Sequence, residues 1–141
     1  MQESNNKRFN HLKIHTQYSI CEGAIKIDNL KDFCKEKKIP CLGISDTSNL
    51  CGALEFAENI SKVGTQPIIG TQIYFKFEDT TGLLPLIALN ENGYKRIIEL
   101  SSRSYLENDA LSDPHLDVKE LLIDTEGVSL LSGTIQGLFG K

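Results

Sequence analysis

The residues best suited to chemistry stand at the ends of short apolar runs. His15 follows the alternating run 9–14, Asp46 follows the apolar run 41–45, and Gln72 lies near the end of the run 67–74. Imidazole and carboxylate side chains can ligate metal ions or transfer protons. In sheets of parallel strands the chemistry lies at the carboxyl ends of the strands, so we expect these three side chains to lie close together.

Each of these residues also has a purely structural interpretation. His15 at a strand end is consistent with a hydrogen-bonded core histidine, and Asp46 is consistent with a cap of the helix that follows it. Gln72 is consistent with a neutral filler of a pocket or with a residue at a strand edge. His11 and His115 have no partner at metal-ligand spacing, so we assign neither a role.

Hydrophobic periodicity predicts the elements that position these side chains. Alternating or continuous apolar runs predict strands at 9–14, 41–45, 67–74, 84–89 and 128–131, with turn composition at 78–82. Helical spacing of apolar residues predicts four helices between these strands. Strands that alternate with amphipathic helices predict an α/β fold with a parallel sheet or barrel.

The starts of the helices are predicted from capping residues. We expect N-caps at Asp28 for the first helix, at Ser48 or Asn49 for the second, and at Asn90 or Asn92 for the third. A short fourth helix is expected around 118–123. The second helix is expected to bury one stripe, formed by Leu50, Ala53, Leu54, Ala57 and Ile60.

The composition excludes several classes of protein. The chain has 141 residues, of which 40% are hydrophobic, and its 15 Lys and Arg against 19 Asp and Glu give a net charge of −4. An autonomous nucleic-acid-binding protein usually carries a basic patch instead. The longest uncharged apolar run, 83–90, is far shorter than the roughly 20 residues that span a membrane, and the polar start is not a signal peptide. We therefore expect a soluble, cytoplasmic protein without membrane contact.

The cysteines show neither a zinc-binding nor a disulfide pattern. No two of them form a C-x-x-C pair, no paired histidines lie nearby, and no secretory signal is present. We expect free thiols that pack as small hydrophobic side chains, at Cys21, Cys34, Cys41 and Cys51.

Five segments, taken together, resemble the PHP (polymerase and histidinol phosphatase) domain family, which begins the alpha subunit of the bacterial replicative DNA polymerase III. They are residues 11–19, 22–24, 45–53, 67–74 and 88–94. The resemblance implies a distorted (β/α) barrel of parallel strands and helices. It further implies that 9–141 is the N-terminal portion of a PHP domain, truncated before the barrel is complete. The residues before it are mostly polar, so we expect 1–8 to be a polar leader.

The resemblance also implies a cluster of metal-ligand positions at the strand ends, most of which this sequence has changed. The family usually has His at 13, 47 and 83, Asp at 22, Glu at 72 and Cys at 134. The residues here are Lys13, His15, Glu22, Thr47, Gln72, Leu83 and Thr134. Only His15 and Glu22 keep a ligating side chain, and a bound zinc ion needs three or four donors. We expect a vestigial pocket without metal, formed by Lys13, His15, Glu22, Asp46, Thr47 and Gln72.

Lys13 argues most directly against a bound cation. An ammonium group has three donors and no lone pair, so it cannot ligate a metal, and its charge repels a cation nearby. We interpret Lys13 as a covalent substitute for the lost cation, paired with Glu22 or Asp46.

The resemblance implies a function in DNA replication. We expect a catalytically silent scaffold that adjoins the remainder of the polymerase alpha subunit and docks a proofreading exonuclease subunit, with DNA contacted only through the full polymerase and no cofactor in this segment. The alternatives are a metal-dependent phosphoesterase or 3′-5′ exonuclease using Mn or Zn, and a free-standing binding module unrelated to replication. Because an incomplete barrel exposes sheet edges, we also expect a homo-oligomer or limited stability.

Overall fold

The computed structural model describes residues 9–135 and 137–140, so the predicted polar leader 1–8 lies outside the described residues. Within them the chain forms a five-stranded sheet and four helices. The strands are β1 (Cys41–Thr47), β2 (Gln66–Phe77), β3 (Thr80–Ala88), β4 (Leu116–Asp117) and β5 (Val128–Leu130). The helices are α1 (Ile27–Lys37), α2 (Ala53–Ser61), α3 (Glu91–Leu106) and α4 (Val118–Ile123). None of these helices is long and apolar enough to cross a membrane.

The sheet is mixed and open, which corrects the prediction of a parallel sheet. Its order is β1-β2-β3-β5, and β4 pairs with β2. The β1–β2 and β2–β4 pairs are parallel, but β2–β3 and β3–β5 are antiparallel. Only Glu78 and Asp79 connect β2 to β3, and Glu78 adopts the left-handed conformation with φ of 53°. Such a short connection closes a hairpin, whereas a parallel pair needs a crossover of a dozen or more residues.

The first predicted strand, 9–14, is not a regular strand. Its residues form only an isolated parallel bridge between Ile14 and Ile44, and a second bridge joins Thr16 to Ile25. Two backbone bonds of 2.8 Å each, from Gly43 N to His11 O and from Ser45 N to Ile14 O, hold the segment along the edge of β1. The alternating pattern therefore reflects attachment to this edge, and it still places His15 beside the end of β1.

The helices pack against one face of the sheet, which we call the helical face. Leu42 and Ile44 of β1 pack with α1 and α2, while Ile73 of β2 and Leu84 of β3 pack with α3. Burial of these side chains supplies the main driving force for folding, at about 25 cal/mol per Å² of apolar surface.

The stripe predicted for the second helix is correct in part. The helix begins at Ala53 with Gly52 as N-cap, and it buries Ala53, Phe56 and Ile60. Leu54 is 72% exposed. Ala53 and Ile60 are thus buried as predicted, whereas Phe56 packs in the core and Leu54 does not. The predicted caps, Ser48 and Asn49, lie before the start of the helix.

Capping of the other helices was predicted with mixed success. Lys26, rather than Asp28, precedes α1, and Asp28 lies in its first turn. The prediction of Asn90 is confirmed, since its side chain accepts a 2.9 Å hydrogen bond from Gly93 N at the start of α3. The fourth helix matches the predicted range 118–123, and β5 matches the predicted strand to within one residue.

The opposite face of the sheet, which we call the inner face, combines small and polar residues of β1 and β2 with apolar residues of β3. Among the described residues it contributes to neither hydrophobic core cluster. Gly70 lies here, and a Cβ at this position would stand 2.5 Å from Leu86 O, so only glycine allows this close approach of neighbouring strands. The alternation of the strands places on this face Gly43, Ser45, Thr47, Gly70, Gln72, Leu83, Pro85 and Ile87.

Candidate functional site

A cavity of about 380 Å³ opens on the inner face, beside the end of β1. It brings together most of the residues that the sequence singled out. Its walls are formed by Lys13, His15, Glu22, Gln72, Leu83, Gly133, Thr134 and Gly137. Asp46 is not part of this wall, and Thr47 reaches it through hydrogen bonds to two of the lining residues.

Register and a tight turn explain why these side chains meet. Thr47 and Gln72 lie opposite each other in the parallel pair of β1 and β2. Glu22 is brought in by a turn in which its backbone N–H donates to Ser19 O at 3.0 Å. A Cβ on the next residue, Gly23, would stand 1.9 Å from Thr16 O, so glycine is required for the turn to approach this close.

A continuous hydrogen-bond chain joins Gln72, Thr47 and Glu22, at three of the positions where the resemblance implies metal ligands. Gln72 Nε2 donates to Thr47 Oγ1 at 2.7 Å, and Thr47 Oγ1 donates to Glu22 Oε2. A hydroxyl has one proton, and a carboxylate can only accept, so Thr47 must accept from the amide of Gln72. This order fixes the orientation of the Gln72 amide.

The other end of the same amide has no partner. Gln72 is 3% exposed, and its Oε1 atom is buried without a hydrogen bond within the described part of the chain. The hydroxyl of Ser45, two residues before Thr47 on the same face, is likewise buried and unpaired there. Buried polar atoms without partners are uncommon in native proteins and need an explanation.

His15 is half-buried and held by long contacts. Its Nδ1 atom lies 3.5 Å from Ser19 Oγ and 4.0 Å from Glu22 Oε2, and its side chain is 27% exposed. A 3.5 Å contact is at the weak end of hydrogen bonding. His15 is therefore not the fully enclosed core histidine that its strand-end position allowed.

Asp46 anchors the 15–19 turn to β1. It is 1% exposed, and its carboxylate accepts from Thr16 N at 2.6 Å, from Thr16 Oγ1 at 2.7 Å and from Ser19 Oγ at 2.7 Å. The interpretation of Asp46 as a helix cap is wrong, because Gly52 precedes α2 and its start carries no side-chain cap. The predicted pairing of Lys13 is also not observed: Lys13 is exposed, and no ion pair joins it to Asp46 or to Glu22.

Sequence reasoning missed Ser19 and Thr16, which complete the support of the site. Ser19 Oγ donates to Asp46 and accepts from Thr47 N at 3.1 Å, so one hydroxyl links the 15–19 turn to two consecutive residues of β1. Hydroxyl residues in a polar turn after an apolar run favour such side-chain-to-backbone bonds, and that signal was present in the sequence.

Tyr18 ties the same turn to α2. Its hydroxyl donates to Glu55 Oε2, and its ring lies against Gly52, where a Cβ would stand 2.7 Å from Tyr18 Cδ2. The hydrogen bond to Glu55, together with desolvation and the negative charge of Glu55, raises the pKa of Tyr18 above its ordinary value.

The donor set of the cavity does not fit a metal cluster. His15 and Glu22 are the two side chains of its wall that can ligate a metal strongly, and the oxygens of Asp46 already accept three hydrogen bonds. Nowhere in residues 9–135 and 137–140 do three His, Cys, Asp or Glu side chains come together in a way that could hold a metal ion. The four cysteines are free thiols, and Cys34 lies on the buried side of α1.

The fold and this site define the class of protein. Residues 11–141 match the model of the PHP domain, and the chain belongs to that family. The match extends to the N-terminal region of DNA polymerase III alpha subunits.

Three curated relatives, all named DNA polymerase III subunit alpha, illustrate the match. The protein of Caulobacter vibrioides is 35% identical over 97% of this chain, that of Helicobacter pylori is 34% identical over 94%, and that of Haemophilus influenzae is 34% identical over 98%. The chain covers only 13%, 12% and 12% of these relatives, respectively. The chain therefore spans only a small part of the length of these relatives.

Solved structures resemble the fold at low sequence identity. A proposed metal-dependent phosphoesterase from Bifidobacterium adolescentis matches with a TM-score of 0.54 at 17% identity, and an amidohydrolase from Chromobacterium violaceum matches with 0.56 at 14%. Each match covers 69% of this chain and 33% of the other chain. The likeness establishes a mixed α/β fold shared over part of their length.

Proposed function

We propose that this chain is a non-catalytic PHP module of a replicative DNA polymerase III alpha subunit. In this role residues 9–141 form the N-terminal portion of a distorted PHP barrel in the cytoplasm. The module stabilises the polymerase and offers a docking surface to a proofreading exonuclease subunit, and DNA is contacted only through the full polymerase. The similarity to alpha subunits across nearly the whole chain supports this assignment.

The observation that carries the proposal is the hydrogen-bond chain from Gln72 through Thr47 to Glu22. A metal ion must recover the hydration that it loses, which takes three or four strong donors. Here the positions that the family uses for ligands instead satisfy one another, and only one carboxylate and one imidazole remain. Hydrogen bonds among an amide, a hydroxyl and a carboxylate hold this wall of the pocket together without a metal ion.

The alternative is a metal-dependent phosphoesterase or 3′-5′ exonuclease. One observation favours it, since His15 and Glu22 still line the same cavity with 4.0 Å between Nδ1 and Oε2. With Mn or Zn added, such an enzyme needs further donors from outside the described residues.

A nuclease assay separates these two functions. The 141-residue chain is incubated with 3′-labelled single-stranded DNA and Mn, beside His15→Ala and a control variant, His115→Ala, at a histidine outside the cavity. We expect no Mn-dependent cleavage by any of the three proteins. Cleavage that persists in His115→Ala and disappears in His15→Ala would overturn the proposal.

Binding to the exonuclease subunit tests the docking role and also the remaining alternative of an unrelated binding module. Immobilised 141-residue chain is mixed with purified proofreading exonuclease subunit of the same bacterium, with an unrelated acidic protein of similar charge as the control. Saturable capture of the exonuclease subunit alone is expected. If neither this chain nor the full alpha subunit captures the exonuclease subunit, the docking role is contradicted.

A further inference from the structure

A second cavity, which we call the hairpin groove, lies at the other end of the inner face. Its volume is about 570 Å³, and its lining residues are Tyr74, Thr81, Leu111, Ser112, Asp113 and His115. Tyr74 of β2 and Thr81 of β3 continue the alternation of Gln72 and Leu83, so they lie on the inner face near the end of the β2–β3 hairpin. The hairpin groove shares no lining residue with the cavity beside β1.

One wall of the hairpin groove belongs to a loop, 105–115, that is fixed at both ends. Asn108 Nδ2 donates to Ser104 O at 2.8 Å and to His115 O at 2.7 Å, which joins the end of α3 to the last residue of the loop. Directly after His115 the chain enters β4, which pairs with β2 at Phe75. The loop is therefore held against the fold by hydrogen bonds on both sides.

This loop presents apolar and aromatic side chains to solvent. Tyr105 is 53% exposed, Leu106 is 82% exposed, and Leu111, on the wall of the groove itself, is fully exposed. Single exposed leucines are common on protein surfaces, but several of them beside a concave surface are typical of a protein–protein interface. The groove and the loop together are therefore a candidate docking surface.

The charge around the groove indicates the chemistry of the partner. The segments 74–81 and 105–117 contain six carboxylates and one lysine, Lys76, hence a net charge of −5, whereas the whole chain has −4. Asp109 and Asp113 are exposed, and no ion pair within the part of the chain that the structure describes involves either of them. This charge repels the phosphates of a nucleic acid, but it attracts lysine and arginine side chains, which form charge-assisted hydrogen bonds with carboxylates. The six carboxylates are those of Glu78, Asp79, Glu107, Asp109, Asp113 and Asp117.

We propose that the hairpin groove and the loop 105–115 form the surface on which the exonuclease subunit docks, through a basic segment that also carries apolar side chains. The inference rests on the proposed function, which names the exonuclease subunit as a partner without assigning it a surface. Tyr74 and Leu111 contact the apolar side chains of the partner, and Asp109 and Asp113 pair with its lysines or arginines. Complementary charge of this kind fixes the register and the specificity of an interface.

Binding of the purified exonuclease subunit to the immobilised 141-residue chain tests the proposal. Two variants alter the surface: Leu111→Ser removes the exposed apolar side chain, and Asp109→Asn combined with Asp113→Asn removes two charges. Dissociation constants are measured for the unmodified chain and for each variant at about 50 and about 300 mM NaCl, since salt screens exposed charges.

Two matched control variants change the same chemistry elsewhere. Leu54→Ser alters another exposed leucine, on α2, and Asp32→Asn combined with Glu58→Gln removes two charges from exposed positions of α1 and α2. Because every altered side chain is exposed, the urea midpoints of all variants should agree with that of the unmodified chain, so a loss of binding reports the surface and not unfolding.

We expect each surface variant to bind about 10-fold more weakly than the unmodified chain, whereas both controls should stay within about twofold of it. Higher salt should weaken binding of the unmodified chain and of both controls. The double variant of Asp109 and Asp113 should respond less to salt, because fewer charges remain to be screened.

Three outcomes would overturn the proposal, and they distinguish its failure from that of the docking role. Saturable binding that neither surface variant weakens, or that the controls weaken equally, contradicts this surface and leaves the docking role intact. Binding that is indifferent to salt contradicts a basic partner segment. If the unmodified chain captures no exonuclease subunit, the surface is contradicted, and the docking role falls with it only if the full alpha subunit captures none either.

Discussion

Thr47 and Gln72 face each other across the parallel pair of β1 and β2, and a 2.7 Å hydrogen bond joins Gln72 Nε2 to Thr47 Oγ1. The same hydroxyl donates a hydrogen bond to Glu22 Oε2. The resemblance to the PHP family implies metal ligands at these three positions, so under the proposed function this hydrogen-bond chain stands in place of metal coordination. The stability of the site should therefore depend on the hydroxyl of Thr47, which joins Gln72 to Glu22.

Thr47→Val removes that hydroxyl at nearly constant shape. It leaves the amide of Gln72 and the carboxylate of Glu22 without their shared partner, and we expect the free energy of unfolding to fall by about 1–2 kcal/mol. Urea denaturation measures the change. Thr47→Ser keeps the hydroxyl and serves as the control, and an equal loss in both variants would show that the methyl group, not the hydrogen bonds, matters.

Asp46→Asn should destabilise the chain more strongly. The carboxylate accepts three hydrogen bonds from Thr16 and Ser19 in a fully buried place, and an amide can accept with one oxygen only. We expect a loss of about 3 kcal/mol, because at least one buried donor remains unpaired. Asp32→Asn, on the exposed side of α1, is the matched control. Equal urea midpoints for Asp46→Asn and Asp32→Asn would contradict the anchoring role of Asp46.

Ser45→Ala should be neutral or stabilising, by up to about 1 kcal/mol, because the buried hydroxyl has no partner within the described residues and its removal ends a desolvation penalty. Thr71→Val provides the contrast. The Thr71 hydroxyl is equally buried but contacts Asp46 O at 2.6 Å and Asn49 O at 3.0 Å, so its loss should cost about 1 kcal/mol. If the two substitutions change the urea midpoint equally, the distinction between paired and unpaired hydroxyls is wrong.

We expect the folded chain to lose stability in alkaline solution as Tyr18 ionises. Its hydrogen bond to Glu55 raises its pKa in the folded state above the ordinary value of about 10 that it has when unfolded. The contribution of Tyr18 to stability is therefore complete below pH of about 10 and is lost as the pH rises through the folded-state pKa. Urea midpoints measured across this range should converge for the unmodified chain and Tyr18→Phe.

Tyr105→Phe, at an exposed tyrosine of α3, is the control for this titration. Its urea midpoint should stay parallel to that of the unmodified chain over the same pH range. A difference in urea midpoint between the unmodified chain and Tyr18→Phe that stays constant with pH would mean that the hydrogen bond to Glu55 does not raise the pKa of Tyr18.

Much of the sheet could be predicted from the sequence because burial on both faces leaves continuous apolar runs. The runs 41–45 and 67–74 lie within β1 and β2, and Asn90 was recognisable as a cap from its position before a helical stripe. The pairing of β2 with β3 was not predictable from periodicity alone. Thr80 and Thr81 have turn composition, yet cross-strand pairing with Phe77 and Lys76 draws them into the hairpin.

The members of the site could be predicted, but not the bonds between them. Residue types at strand ends identified His15 and Gln72, the resemblance to the PHP family added Glu22, and the structure places all three on one cavity wall. The chain through Thr47 depends on the register of β1 against β2 and on the turn that brings in Glu22, which are properties of the tertiary structure. The hydroxyl residues of the 15–19 turn are visible in the sequence, but the choice of Asp46 as their partner depends on how the turn lies against β1.

Metal content tests the central claim most directly. The 141-residue chain is purified in buffer containing Mn and Zn, dialysed against metal-free buffer and submitted to elemental analysis, with His15→Ala treated in parallel. We expect both proteins to carry far less than one ion per chain. Two or more ions per chain, lost in His15→Ala, would contradict the account, since they would mean that His15 and Glu22 still belong to a working metal centre.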